Sequence, residues 1–197
     1  MFGDPIINPK KWEQYNLNQL GFFGRGVSKH RPRNAPELLN GPYPLIQTSD
    51  VSNSDLYIEN YSSTYSELGL KQSKMWPSGT LCITIAANIA QTSILTFDSC
   101  FPDSVVGFIA NKKTNNIFIH YWFSFLQKII DSKATQVAQK NINLQILSEL
   151  DVIVPPIELQ NEFAQIVEQI DKQKFEFEIS LKKLEELQAS LMQEYFG

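Results

Sequence analysis

Phe22-Phe23-Gly24-Arg25-Gly26 is the run whose residue types and spacing come nearest to a cofactor site. It matches F-x-G-x-G, the glycine turn with which many adenine methyltransferases hold S-adenosylmethionine. That chemistry needs more than glycines: the turn must leave a strand and open a helix, so that free backbone N–H groups face the ligand. Pro32 and Pro36 follow here and forbid such a helix. The companion signature, Asn or Asp before Pro-Pro and an aromatic, is missing, since the only Pro-Pro is Val154-Pro155-Pro156-Ile157. The run is expected to hold no cofactor.

The other reactive residue types lack partners in sequence. His120 sits in an apolar stretch and reads as a hydrogen-bonded core residue rather than a ligand. Asp103 and Ser104 have no base beside them, so Phe101-Pro102-Asp103-Ser104 reads as a structural turn. Cys82 and Cys100 show no C-x-x-C spacing and no nearby His, which suits a reducing compartment better than a disulfide framework. Metal-ligand spacing, a nucleophile elbow and a phosphate loop are absent from the sequence. The expectation is a chain without catalytic residues, metal or cofactor.

Binding chemistry is better represented. Arg25, Lys29, His30, Arg31 and Arg33 make the densest basic run, and no acid lies between Glu13 and Glu37. Flanking Gly and Pro mark an exposed loop, from which Arg reaches phosphates or the edge of guanine. Lys112 and Lys113 form a weaker pair in a turn with Asn111, Asn115 and Asn116. These seven residues are the candidate DNA contacts. The bland alternative is a pair of solvated loops that touch nothing.

The elements that must position them are those of an α+β globule. Trp12 to Leu20 opens a first strand or edge, and Phe22 to Asn40 reads as a loop closed by a turn at Asn40-Gly41-Pro42. Tyr43 to Thr48, Leu81 to Ala86, Ile94 to Phe97 and Val105 to Ala110 are short strand-like runs between turn residues. Residues 49–69 are polar and carry only acidic charges. Ile117 to Asp131 has helical spacing and is mostly apolar, so it forms a core helix. Gln136 to Leu150 is polar with isolated Ile and Leu, and Asp151 to Val154 makes a last short strand that Pro155-Pro156 stops.

Beyond it, Glu158 to Tyr195 contains neither Pro nor Gly. Phe163, Ile170, Phe177, Leu184 and Leu191 recur seven apart, with Ile166, Val167, Leu181, Leu187 and Tyr195 three or four away. That period predicts a coiled-coil helix on the order of 55 Å long, which needs a partner helix to cover its stripe. Phe163, Ile166, Ile170, Phe177, Leu181, Leu184, Leu187 and Leu191 are the expected dimer contacts. Gln173 and Ser180 fall at inner positions of the seam, so pairing should be strongest near the helix ends. The expected division is a globular domain at 1–155 and the helix at 156–197.

Charge follows the same division. The chain of 197 residues carries a formal net charge of -4. Residues 1–157 hold 13 Lys/Arg against 12 Asp/Glu, and residues 158–197 hold 4 against 9. The acidic excess lies on the helix, so the low overall pI does not exclude a basic surface on the globule. A hydrophobic content of 43% supports a real core. No run is long and apolar enough for a membrane span or a signal peptide, which points to a cytoplasmic chain.

Three stretches carry a resemblance. They are Gly41-Pro42-Tyr43-Pro44-Leu45-Ile46-Gln47-Thr48-Ser49-Asp50-Val51, then GTLCITIAANIAQTSILTFDSCFPDSVVGF at 79–108, then NINLQILSELDVIVPPIELQNEFAQIV at 141–167. In this order they resemble the specificity subunit (HsdS) of type I restriction-modification systems. The Pro-Pro-Ile-Glu-Leu-Gln entry into a long helix is the most specific part. The resemblance implies a target recognition domain followed by a conserved spacer helix, with no catalysis of its own. The family's full subunit is similar to two such units in tandem with antiparallel helices, to which methyltransferase subunits attach.

This chain has one unit. It ends Tyr195-Phe196-Gly197 and begins Met1-Phe2-Gly3-Asp4-Pro5, as one repeat running into the next would. Either a natural half-subunit or one repeat of a longer chain fits. The implied partners are duplex DNA, a second copy and a modification methyltransferase, with a restriction subunit as a further candidate. Two rival readings stay open: a coiled-coil adaptor without DNA affinity, and an enzyme acting on nucleic acid.

Overall fold

The computed structural model describes residues 1–86, 89–132 and 144–197. The first half of the chain runs β1 (Glu13–Asn16), β2 (Gly21–Arg25), β3 (Leu39–Leu45), α1 (Thr48–Ser52), β4 (Tyr57–Ile58), β5 (Ser63–Tyr65), α2 (Glu67–Lys71) and β6 (Met75–Trp76). It continues β7 (Leu81–Thr84), β8 (Thr92–Leu95), β9 (Ser99–Cys100), β10 (Val105–Ala110), α3 (Asn116–Ser132), α4 (Leu144–Ser148), β11 (Asp151–Val154) and α5 (Ile157–Phe196). Residues 136–143 of the polar segment lie outside the described residues, and α4 occupies part of its remainder. The fold is α+β, as the sequence pattern predicts. Two compact units divide it, Met1–Gln160 and Asn161–Gly197.

In the first unit, five strands form a sheet in the order β2-β10-β7-β8-β4, and four form a second in the order β5-β3-β9-β6. β7 and β8 are buried along their whole length; β7 reads as a nearly continuous apolar run, whereas β8 opens on Thr92 and Ser93 and ends at Leu95, two residues short of the run expected to Phe97. Trp76, Phe101, Ile46, Val51, Leu95 and Val105 are among the side chains of the main core cluster. The Trp76 and Phe101 rings stack with centroids 5.1 Å apart. Burying a ring such as Phe101 stabilises by roughly 2–3 kcal/mol.

Two glycine features depart from the sequence pattern. The loop expected from Phe22 begins only at Gly26, because β2 continues to Arg25 and pairs with β10, Gly24 facing Gly107. Neither residue has room for a side chain. A Cβ on Gly24 would come within 2.8 Å of the Trp76 ring, and one on Gly107 within 2.7 Å of the same ring. The glycines that mimic a cofactor turn are packing glycines. The turn expected at Asn40-Gly41-Pro42 lies inside β3 instead. There Leu39 and Tyr43 both register against Tyr65, a bulge that lets Asn40 take φ +62° and spares Pro42 from donating to the ladder.

The ends of the first unit meet. β1 pairs antiparallel with β11, Glu13 opposite Val154 and Asn16 opposite Asp151. The Asn16 side-chain amide donates to the Glu149 carbonyl at 3.0 Å. Immediately beyond β11, Gln160 is fully buried. Its carbonyl oxygen accepts from the Thr114 hydroxyl at 2.8 Å and from the Asn115 N–H at 3.4 Å. Its amide donates to the Lys113 and Pro155 carbonyls at 3.1 and 2.7 Å. The first turn of α5 is thereby keyed into the turn that precedes α3.

Replacing Gln160 by Leu strands a hydroxyl and two carbonyls in a dry site, each costing about 1–3 kcal/mol. Gln160→Leu is expected to lower unfolding free energy by at least about 3 kcal/mol, read from urea midpoints at unchanged slope. A loss under about 1 kcal/mol would show that water satisfies these groups.

Candidate nucleic-acid interface

The basic run starts on a strand and finishes on a loop. Arg25 closes β2, exposed, and its Nε–H donates to the Asp103 carbonyl. The loop then turns away, held by Gly26 N–H to the Val105 carbonyl at 2.9 Å and Val27 N–H to the Phe101 carbonyl at 3.1 Å. Gly26 is glycine because a Cβ there would run into the Phe101 and Pro102 carbonyls. On its other side the Ser73 hydroxyl donates to the Val27 carbonyl at 2.8 Å. The Gln72 side-chain oxygen accepts both the Lys29 and His30 amides, at 2.7 and 3.0 Å. His30 Nδ1–H donates to the Pro32 carbonyl at 3.2 Å. This loop has a defined course, fixed by its own backbone groups.

Its arginines converge on one acid. Arg33 Nη2 lies 2.5 Å from Asp103 Oδ1, and Arg31 Nη2 lies 3.8 Å from Asp103 Oδ2. Arg31 Nη1 also donates to the Ser28 and His30 carbonyls, at 2.7 and 2.8 Å. Lys29 is exposed, and its ammonium has no acceptor among the described residues.

Lys112 and Lys113 are not brought to this cluster. Ala110 pairs with Gly21 and Val106 with Arg25, so the lysine pair follows the far end of the β2–β10 ladder, about 14 Å along the strand. Lys113 Nζ sits 3.9 Å over the Tyr15 ring there.

Sequence reasoning missed two members of the basic surface. Lys74 follows the residues that clamp the loop, and its ammonium lies 4.9 Å from the Phe22 ring centroid and 4.0 Å from that of Trp76. Phe22 is 56% exposed beside it. The run Lys71-Gln72-Ser73-Lys74 carries a readable signal, two lysines around two hydrogen-bonding side chains. Asp103 carries none, because it lies 70 to 78 positions along the chain from the arginines around it. It does sit in a turn, as its sequence suggests, but a turn with a charge partner.

The buried reactive groups serve the core. The Thr92 hydroxyl and His120 Nδ1 are 3.0 Å apart, and burial pushes the imidazole down to about 4. Cys82 and Cys100 are free and buried, which raises both thiols. Among the described residues no group of three His, Cys, Asp or Glu could hold a metal ion, and no helix is long and apolar enough to cross a membrane.

α5 is a single helix of 40 residues. Ile170, Phe177 and Leu184 are 58%, 73% and 63% exposed. Ile170, Phe177, Leu181 and Leu184 line one shallow apolar groove, and Leu184, Leu187, Leu191 and Tyr195 line the next. Ile166 is exposed as well, and Phe163 is half-buried.

A strand-edged globule with an arginine-rich loop, running through Pro-Pro into a long helix with a bare heptad stripe, has counterparts. The family model for the type I restriction modification DNA specificity domain matches residues 9–189. The chain belongs to this family. A protein of Methanocaldococcus jannaschii, named for the specificity subunit of the type I restriction enzyme MjaX, is 26% identical over 184 residues. That match covers 89% of this chain and 42% of the relative.

Among solved structures, the HsdS subunit from Thermoanaerobacter tengcongensis superposes with a TM-score of 0.63 at 16% identity, covering 84% of this chain and 38% of that one. The S subunit from M. genitalium gives a TM-score of 0.58 at 15% identity over 95% of this chain and 46% of its own. A chain from a type I restriction-modification system studied for its complex assembly gives 0.66 at 16% identity, over 94% and 44%. The chain thus spans less than half the length of these relatives.

His120 makes the fold acid-sensitive. Its folded value near 4 lies below the ordinary 6.5, so the unfolded chain binds the extra proton first as pH falls. The stabilisation is complete above about pH 6.5 and is lost progressively toward pH 4, on the order of 3 kcal/mol. His120→Gln should flatten the stability profile in this window relative to wild type, measured by denaturant titration at pH 7.5 and 4.5. Parallel profiles would show that the imidazole is solvated.

Proposed function

We propose that this chain is the DNA-recognition half-subunit of a type I restriction-modification complex. The target recognition domain is residues 1–155, and residues 156–197 form the dimerisation and spacer helix. The globule reads a short sequence, and its DNA contacts are Arg25, Lys29, His30, Arg31 and Arg33, with Lys112 and Lys113 farther along. The helix pairs with that of a second copy, antiparallel, and together they direct a partner adenine methyltransferase to a bipartite site. A restriction subunit joins where cleavage is required. The chain itself is non-catalytic and cytoplasmic, and S-adenosylmethionine belongs to the partner. Support for that last point is that Gly24-Arg25-Gly26 ends a paired strand and a loop follows, so the helix such a ligand needs is missing.

The observation that carries the pairing is the bare heptad face of α5. Seven large apolar residues, from Ile166 to Leu191, are more than 40% exposed on one stripe of a helix. A stripe of this extent in water marks an interface. A second copy offers the same stripe, and a two-fold pairing of like chains closes without leaving a free surface.

Ile170→Glu with Leu184→Glu should convert dimer to monomer, or to insoluble protein, in light scattering. A dimer that survives both charges would place the interface elsewhere. The target should be a two-part inverted repeat, because a two-fold protein presents the same surface to both half-sites. Half-site centres should lie about one turn of DNA apart, roughly 10 bp or a little more. Inserting one heptad into α5 adds about 10 Å, near three base pairs at 3.4 Å. Methylation mapping should then find a longer spacer between unchanged half-sites. An asymmetric or continuous motif, or one indifferent to helix length, would exclude the model.

A further inference from the structure

Asp103 sits where a DNA-binding surface should not want an acid. The turn between β9 and β10 carries it among three arginines: Arg25 bonds its backbone carbonyl, Arg33 pairs with its carboxylate, and Arg31 lies 3.8 Å from that carboxylate. The donors divide unequally. Arg31 uses Nη1 on two carbonyls of its own loop, which ties it to the loop, and its Nη2 lies 3.8 Å from Asp103. Arg33 uses only Nη2, 2.5 Å from Asp103 Oδ1. Its Nε–H and Nη1 groups have no acceptor among the described residues, and its side chain is 45% exposed.

We propose that Asp103 is a specificity-determining positioning residue that presents Arg33 to the major-groove edge of a guanine. This rests on the DNA-recognition reading above. The cause is electrostatic. A guanidinium already paired with a carboxylate is a poor phosphate clamp, since the phosphate would meet that carboxylate's like charge. Guanine N7 and O6 are neutral acceptors, so the pair survives beside them, and the second Nη2 hydrogen still makes a two-donor fork with Nε–H or Nη1–H, on whichever edge Asp103 leaves open. Holding the guanidinium also removes side-chain freedom before binding, and a planar fork keeps its direction where a lysine ammonium would not. The acid is itself held, because its carbonyl takes the Arg25 Nε–H and the Val105 N–H closes the turn onto Pro102 at 3.0 Å. Phosphate contact then falls to Lys29 and Lys74, which face no carboxylate among the described residues.

The test selects from a pool of random-sequence duplexes with the full chain, as wild type, Arg33→Lys and Asp103→Asn. It then measures salt dependence on the enriched duplex and on an unrelated one. Wild type should enrich a motif containing a fixed G·C pair. Arg33→Lys keeps the charge and loses the fork, so preference at that one pair should fall about 5- to 150-fold, with other positions and the salt slope retained. Asp103→Asn should lose the same preference while binding the unrelated duplex more tightly. Its slope should steepen by about 0.9, as a freed Arg33 takes a phosphate.

A full motif kept by folded Arg33→Lys would overturn the proposal and leave DNA recognition standing. So would an Arg33→Ala variant whose slope drops by about 0.9 with no change of motif. Failure of wild type to enrich any sequence would overturn the DNA-recognition reading and this inference together. Thermal melting of each variant shows whether it is folded, and Arg33→Lys, at an exposed position, decides the question alone should Asp103→Asn unfold.

Discussion

The pairing of β1 with β11 is the constraint on which the rest of the first unit depends. It joins residues more than 130 apart in sequence, so it closes nearly the whole globule into one loop. The Leu17 N–H to the Leu150 carbonyl, at 3.0 Å, extends the closure past the ladder. Once β11 is placed, Pro155 and Pro156 end it, and α5 starts at Ile157. Gln160 then locks that helix's first turn to the Lys113–Asn115 turn through both ends of one amide. The same turn is tied back to the start of β2 by the Asn111 N–H to Leu20 at 2.8 Å. Closure, helix entry and the position of β2 are thus one connected set of hydrogen bonds.

β2 in turn positions the arginine cluster. Arg25 reaches Asp103 only because β2 runs beside β10, and it does so because Gly24 and Gly107 leave space for Trp76. Trp76 stacks on Phe101, whose carbonyl takes the Val27 N–H at the loop's root. The aromatic core and the arginine cluster therefore share a boundary. A larger residue at Gly24 would move the loop that carries the charges as well as strain the sheet.

The sequence was legible where one signal dominates. Apolar runs placed β7 and β10, the Asp151–Val154 strand was read to the residue, and the absence of Pro and Gly between Glu158 and Tyr195 marked α5. It was illegible where local signals are overruled by contacts from afar. Asn40-Gly41-Pro42 has turn residues, yet its neighbours Leu39 and Tyr43 pair with Tyr65, and the turn becomes a bulge. Gly24 and Gly26 look conformational and are steric, which only the position of Trp76 and of the Phe101 carbonyl reveals. The basic run was visible as composition. Its organisation was not, because Asp103, Gln72 and Ser73 approach from other parts of the chain.

The two polar residues on the apolar stripe of α5 are not equivalent. The Ser180 hydroxyl donates to the Glu176 carbonyl of its own helix at 2.9 Å. It can enter a seam with its hydrogen already satisfied, and it asks little of a partner. The Gln173 amide has two donors and an acceptor to satisfy once covered. In the proposed antiparallel pair, an amide buried against Leu or Phe would carry the full cost of desolvation, whereas one opposite another polar side chain would not. Only registers that give Gln173 such a neighbour are tolerable, and a register centred on Gln173 supplies its own copy. In that pair the apolar residues would provide the attraction between helices, and this one amide would select among the registers they otherwise share.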